Sequence, residues 1–359
     1  MLKEKQHLKN VNRTNIEEIT RKGFLRLDMN ECPFGLPNGF IKRTLSRIDG
    51  NFVATYPGYS RSQNKIAEYN KLRSENICLA NGSDAAIKYL FEAYVSPGDR
   101  VLLTDPTFAM YKVYCKIFDA QPITVPYKPD LSFPGKEFAE RISYDIKMAV
   151  VVNPNNPTGS IIPEDELLSI LRRAQNKGVL LIVDEAYFYF YTGTVIREIM
   201  HFDNLVVLRT FSKLCGMAGL RIGYAAANPK IIKNLKKVRP TYDVNGIAAL
   251  FAEEILDDRA ILKSLLVETK KGKRYLIKQL NENGISYRDG YANFILIKCE
   301  INPLTIANKL RQDNILVGFG FEQLFLRDFI RVTLGDKKSM IQFWGSFIKI
   351  WRKNVREGR

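Results

Sequence analysis

The sequence predicts an α/β protein in which a mainly parallel central sheet is covered by helices and joined to a smaller α+β domain. Two observations carry this. From about Glu75, short β-branched runs alternate with amphipathic helical segments, and such alternation implies a largely parallel sheet buried on both faces. After Pro240 the alternation gives way to a long polar helix and then shorter strands. The expected division is therefore a large domain over 51–240 and a small C-terminal α+β domain over 241–359. Residues 1–50 are too short to stand alone and are expected to pack with the small domain.

In chain order, the strands expected in the large domain are 76–79, 100–103, 121–125, 148–152, 179–183, 205–209 and 222–226. Each is a short apolar run bounded by polar or turn-forming residues. Helical periodicity covers 83–95, 107–118 and 163–176, and the last has Pro163 followed by acidic residues, as a first helical turn favours. In the small domain the pattern predicts a helix over 258–283, a strand over 294–298, a helix over 303–313 and a strand over 329–334.

Composition narrows the class. A chain of 359 residues, 46% hydrophobic and 26% charged, is ordinary for a folded protein. The charged N-terminus shows no secretory signal, and no apolar run approaches the ~20 residues of a membrane helix, so a cytoplasmic protein is expected. The five cysteines are odd in number, scattered and mostly set in apolar segments, which reads as reduced structural thiols. With only His7 and His201 beside them, no metal site is expected. The net charge of +16 is spread along the chain, as in 231–239 and 270–278, and no nucleic-acid motif accompanies it, so no nucleic-acid partner is expected.

The chemistry should lie where the expected strands end, because open α/β sheets bind ligands beyond their carboxyl ends. Asn81-Gly82-Ser83-Asp84 follows the first strand and opens a helix, either as an ordinary cap or as an anion site of free N–H groups. Asn153 to Gly159 follows the fourth; its prolines and asparagines make a tight connection or fix amide side chains at the rim. Asp184 ends the fifth, where a carboxylate beyond an apolar strand needs a cap, an arginine or another cation. A protonated pyridine nitrogen would be such a cation. Thr210, Ser212 and Lys213 follow the sixth, with Gly216, Gly219 and Arg221 close behind. Hydroxyls and a guanidinium suit a phosphate ester, whereas Walker and G-x-G-x-x-G nucleotide loops are absent.

The ordered segments NPNNPTG, VDEAY, RTFSK and AGLRIGY resemble the fold-type I pyridoxal-phosphate aminotransferases. With LDMNECPFGLP, TYPGY, NGSD and DPTFAMY added, the chain most resembles the histidinol-phosphate aminotransferase family, from about Leu27 to Gly335. The resemblance implies the fold-type I transferase architecture and pyridoxal 5'-phosphate as cofactor. Lys213 would hold the cofactor as a Schiff base and carry the proton to and from substrate Cα. Asp184 would meet the pyridine nitrogen, Asn156 and Tyr187 the phenolic oxygen, and Phe108 would stack on the ring. The phosphate would fall to Gly82, Ser83 and Asp84, to Thr210 or Ser212, and to Arg221, with Tyr56 reaching it from a second subunit of a homodimer.

By the same resemblance Arg331 would grip the substrate carboxylate, and Asn30 and Asn156 would also contact the substrate. Three departures from the family's pattern stand out: Gly318 where an arginine is usual, no tyrosine over 12–24, and Ala85 where Glu is usual. The first two touch the far end of the substrate. The implied activity is amino-group transfer between a small, possibly phosphorylated, amino donor and a carbonyl acceptor; a phospho-amino-acid decarboxylase is the alternative.

Overall fold

A computed structural model of the chain describes residues 2–11 and 21–357. Its strands are β1 (Leu25–Leu27), β2 (Ile77–Ala80), β3 (Arg100–Asp105), β4 (Gln121–Pro126), β5 (Ile146–Val152) and β6 (Leu180–Asp184) in the first half of the order. The second half comprises β7 (Leu205–Thr210), β8 (Gly223–Ala227), β9 (Tyr287–Arg288), β10 (Phe294–Lys298), β11 (Ile315–Val317) and β12 (Phe329–Thr333).

Seven of these form one sheet in the order β2-β8-β7-β6-β5-β3-β4. All neighbours are parallel except β8, which runs against both β2 and β7. That single reversal leaves the carboxyl ends of β2, β7, β6, β5 and β3 on one rim, and it starts β8 from the same rim. Apart from the exposed edge strand β4, the sheet is buried on both faces because its strands are apolar at nearly every position, and successive residues turn to opposite sides. Ala149, Val151, Leu181 and Val183 enter one core, and Met148, Val150, Leu180 and Ile182 enter the other.

The first core is closed by the helices Ser60–Asn70, Glu164–Asn176 and Gly246–Asp257, the second by Ser83–Tyr94, Met110–Ile117 and Pro229–Val238. The helix expected over 107–118 starts only at Met110. Residues 107–109, after Pro106, form the lead-in that leaves Phe108 half-buried at the rim.

A third core joins Leu27 of β1 to Leu276, Leu280, Ile295, Ile330 and Phe343. Around it lie the antiparallel sheet β12-β10-β9, the parallel pair β1-β11 and the long helix Arg259–Glu282. The C-terminal helix Lys337–Glu357, not anticipated above, packs on that long helix. Its Met340, Phe343, Trp344 and Phe347 are buried at the spacing of one helical face. All five cysteines are buried and free. Among the described residues no helix is long and apolar enough to cross a membrane, and none of their His, Cys, Asp and Glu side chains group as metal ligands.

Candidate active site

A cavity of about 470 Å³ opens at the rim where those strand ends converge. Its floor is Asp184, the last residue of β6, which is only 2% exposed. The Tyr111 hydroxyl donates to Asp184 Oδ2 at 2.8 Å and the Ala186 N–H donates to Oδ1 at 3.0 Å. Burial nonetheless pushes the carboxyl up to about pH 6, against the pull of those two donors and of Lys213. A carboxylate so placed calls for a cation in the cavity.

Lys213 stands on the loop after β7, half-buried, with Nζ donating to the Met29 carbonyl at 3.0 Å and lying 5.7 Å from the centre of the Tyr187 ring. Burial first, and the nearby Arg331 charge second, bring its pKa down to about 8. A lysine of that kind holds an appreciable neutral fraction near pH 7 to 8, as an attacking amine requires.

The opposite wall is built for an anion. Gly82 caps the helix Ser83–Tyr94 at φ +80°, and a Cβ there would lie 2.4 Å from Arg221 Nη2. Only glycine lets the Arg221 guanidinium rest against the first turn of the helix, where free N–H groups point outward. Arg221 itself takes the left-handed conformation at φ +57°. Its Nη1 donates to Ser212 Oγ at 3.4 Å, and Thr210 Oγ1 donates to the same oxygen at 2.9 Å. Gly223, at the start of β8, allows a second close approach: a Cβ there would sit 2.5 Å from the Ser83 nitrogen.

Ser83, Asp84, Phe108, Asn156 and Tyr187 complete the cavity wall among the residues singled out from sequence. Two others stand one layer behind it. Asn30, at φ 57°, donates from Nδ2 to the Tyr187 hydroxyl at 2.9 Å and is held by Thr333 and Asn293. Arg331 donates from Nη1 to Asn156 Oδ1 and from Nη2 to the Asp28 carbonyl, both at 2.6 Å. Its buried Nε has no partner among the described residues. Each of these side chains therefore ties the small sheet to a residue facing the cavity. Tyr187 is pushed up to about 12 by burial, so its phenol keeps its proton.

Tyr56 lies away from this cavity, 75% exposed and stacked on Tyr242 at 4.2 Å between ring centres. Gly318 pairs with Arg331 through two backbone hydrogen bonds, and a Cβ at 318 would come within 3.3 Å of the guanidinium. Most of 12–24, where a tyrosine is missing, falls outside the described residues. Met29, Glu31 and Tyr111 were not assigned roles from sequence. Only the contacts made by folding reveal them.

A buried Asp, a lysine of lowered pKa and a phosphate-sized cradle fit pyridoxal phosphate: its ring nitrogen, aldehyde and phosphate each find a matching group. Fold and site thus define a pyridoxal-phosphate enzyme of the fold-type I architecture. Residues 22–344 match the family model described as "Aminotransferase class I and II", and the chain belongs to that family. It is 37% identical over 336 residues to the histidinol-phosphate aminotransferase of Caldanaerobacter subterraneus subsp. tengcongensis, covering 92% of this chain and 94% of that protein.

Among solved structures, the histidinol-phosphate aminotransferase of Sinorhizobium meliloti in complex with pyridoxal-5'-phosphate superposes with a TM-score of 0.84 at 20% identity, over 91% of each chain. The L-threonine-O-3-phosphate decarboxylase of Porphyromonas gingivalis superposes at 0.77 and 21% identity, over 91% of this chain and 99% of that one. Aminotransferase and decarboxylase share the fold, so architecture alone does not choose between them. Family membership makes the chain a pyridoxal-phosphate-dependent transaminase.

Proposed function

We propose that this enzyme transfers the amino group of a phosphorylated amino compound, with histidinol phosphate as the leading candidate donor, to a small keto acid. The observation that carries the reading is geometric: one cavity is lined by the buried Asp184, by Lys213 and, at Ser83 and Arg221, by a helix N-terminus that Gly82 lets the guanidinium touch. When bound, pyridoxal phosphate supplies the electron sink that makes the bond at substrate Cα labile.

Everything else falls to the chain's own side chains. Lys213 would hold the cofactor and, once displaced by the incoming amine, its Nζ would move the proton from substrate Cα. Asp184 would keep the ring nitrogen protonated. Asn156 and Tyr187 would donate to the phenolic oxygen, and Phe108 would cover one face of the ring. Gly82, Ser83 and Asp84 would present the helix N-terminus to the phosphate alongside Thr210, Ser212 and Arg221. Arg331 and Asn30, bonded to Asn156 and Tyr187, would put the substrate's anionic group within reach of the same residues that orient the cofactor.

The reading extends to a homodimer whose partner lends Tyr56 to the phosphate, working in the cytoplasm. The exposure of Tyr56, away from its own chain's cavity, supports that part. Two units, a large cofactor-binding one and a small C-terminal one, are part of the same proposal.

A half-reaction screen tests the substrate. The enzyme loaded with pyridoxal phosphate is mixed with histidinol phosphate, histidinol, phosphothreonine or glutamate, and products are read by mass spectrometry. Conversion of cofactor to its amine form with a carbonyl product from histidinol phosphate supports the proposal. Carbon dioxide from phosphothreonine without a carbonyl product contradicts it.

A further inference from the structure

Asp184 faces the cavity on one side, and its other side is equally well defined. Tyr111, in the first turn of the helix Met110–Ile117, is fully buried, with its ring edge-on to Phe108 at 6.2 Å between centres. Its hydroxyl donates to Asp184 Oδ2 at 2.8 Å, while the Ala186 N–H occupies Oδ1 at 3.0 Å. Each carboxylate oxygen thus has one donor from behind, and the plane of the group is fixed. We infer that Tyr111 is a positioning residue: its phenol holds Asp184 ionised and aimed into the cavity, and so sets how strongly the enzyme retains the protonated ring nitrogen of its cofactor.

Burial opposes ionisation of Asp184, and the neighbouring strands offer only Val152 and Leu208 beside it. Of the charged groups around it, Lys213 across the cavity helps, and Glu185 opposes although it is paired with Arg209. Asp84 and Tyr114 act on the Tyr111 side, and Tyr187 lies across the cavity wall. Tyr111 is itself raised well above 10 by burial and by Asp184. Its proton therefore stays on the phenol throughout the working pH range, and the hydrogen bond always favours the charged carboxylate. Among the causes that act on Asp184 in favour of ionisation, this bond comes first. A phenylalanine at 111 would fill the same space and offer no donor.

This rests on the assignment of Asp184 to the ring nitrogen, and the experiment separates the two. Full-length apo-enzyme in three forms, unaltered, Tyr111→Phe and Asp184→Asn, is titrated with pyridoxal phosphate by absorbance from pH 5 to 9. In the unaltered enzyme, affinity should fall on the acid side as Asp184 takes up a proton. In Y111F that fall should begin roughly one pH unit higher, giving roughly fivefold weaker binding at pH 6 and near-equal binding at pH 9. D184N should bind weakly and show no such limb.

Coincident acid limbs for Y111F and the unaltered enzyme, with D184N altered, overturn the role of Tyr111 alone. A D184N curve matching the unaltered enzyme overturns the assignment of Asp184, and the inference with it. If Y111F does not fold, 3-fluorotyrosine at 111, with its more acidic hydroxyl, should shift the limb to lower pH, and an unmoved limb overturns the inference.

Discussion

At the residue scale, Lys213 and Asp184 both sit where the protein disfavours their charge, and each has a measurable cost. Asp184 has a folded-state pKa of about 6 against about 3.9 in an unfolded chain. The folded apo-protein therefore holds this proton more tightly, which contributes stability in full below about pH 4 that is lost as pH rises through 6. At about 1.4 kcal/mol per tenfold change in proton affinity, the loss is up to about 3 kcal/mol. Urea unfolding of the apo-enzyme at pH 4.5 and pH 7, compared with D184N, should show about two-thirds of this fall, about 2 kcal/mol, in the parent and none in the variant. A cation supplied by the cofactor should remove most of it.

Lys213→Arg keeps the charge but loses the neutral amine. It should fold, bind pyridoxal phosphate non-covalently and lose at least about a thousandfold in transamination rate, as expected for removal of a nucleophile and base together. Activity within tenfold of the parent, in a steady-state assay, would contradict its role.

At the scale of elements, the site depends on two glycines that let secondary structures touch. Gly82 has positive φ and no room for a Cβ beside Arg221, so Gly82→Ala should displace that guanidinium from the start of the helix. We expect pyridoxal phosphate affinity to drop at least about tenfold, with a smaller effect on turnover at saturating cofactor. Equilibrium dialysis against the cofactor measures it. The buried pair Arg209–Glu185, with Nη2 to Oε2 at 2.8 Å, joins β7 to the residue that follows Asp184 at the end of β6. Replacing Arg209 with Met strands a buried carboxylate, and denaturant unfolding should register a loss of about 3 to 5 kcal/mol.

Most of these elements were legible beforehand, for a physical reason. β5 and β6 are continuous apolar runs ending in polar turns, and a parallel sheet is built of such runs. The helix Gly246–Asp257 escaped because it is apolar on nearly every side, burying Ala248, Leu250, Phe251 and Ile255, and so shows no helical period. The C-terminal helix carries the period at Met340, Phe343, Trp344 and Phe347, but lysines and arginines crowd both of its ends and mask it. Site residues adjacent to strand ends could be read as motifs. Tyr111, Met29 and Glu31 lie inside the segments DPTFAMY and LDMNECPFGLP, but their roles were not legible there, since their proximity to Asp184 and Lys213 comes from tertiary packing and not from spacing.

At the scale of the whole molecule, Asn30 and Arg331 bridge two cores. Asn30 links Tyr187 to Thr333 and Asn293, and Arg331 links Asn156 to Asp28. A substrate anion that takes Arg331 would thus be felt by the residues that orient the cofactor. Arg331→Ala should raise KM for an anionic donor by about one to two orders of magnitude while leaving cofactor affinity within about threefold. The proposed homodimer should sediment at twice the 41.1 kDa of the chain. Tyr56→Phe should weaken cofactor binding without dissociating it, and a monomer with full cofactor affinity would remove the second subunit from the account.

The central claim is that Lys213 carries the cofactor, and the most direct measurement is chemical. Enzyme incubated with pyridoxal 5'-phosphate is reduced with borohydride, digested and mapped by mass spectrometry. The account predicts a single stoichiometric pyridoxyl-phosphate adduct on Lys213, abolished in Lys213→Arg. Protein that remains colourless and unlabelled, or that is labelled at scattered surface lysines and equally in the variant, would contradict it.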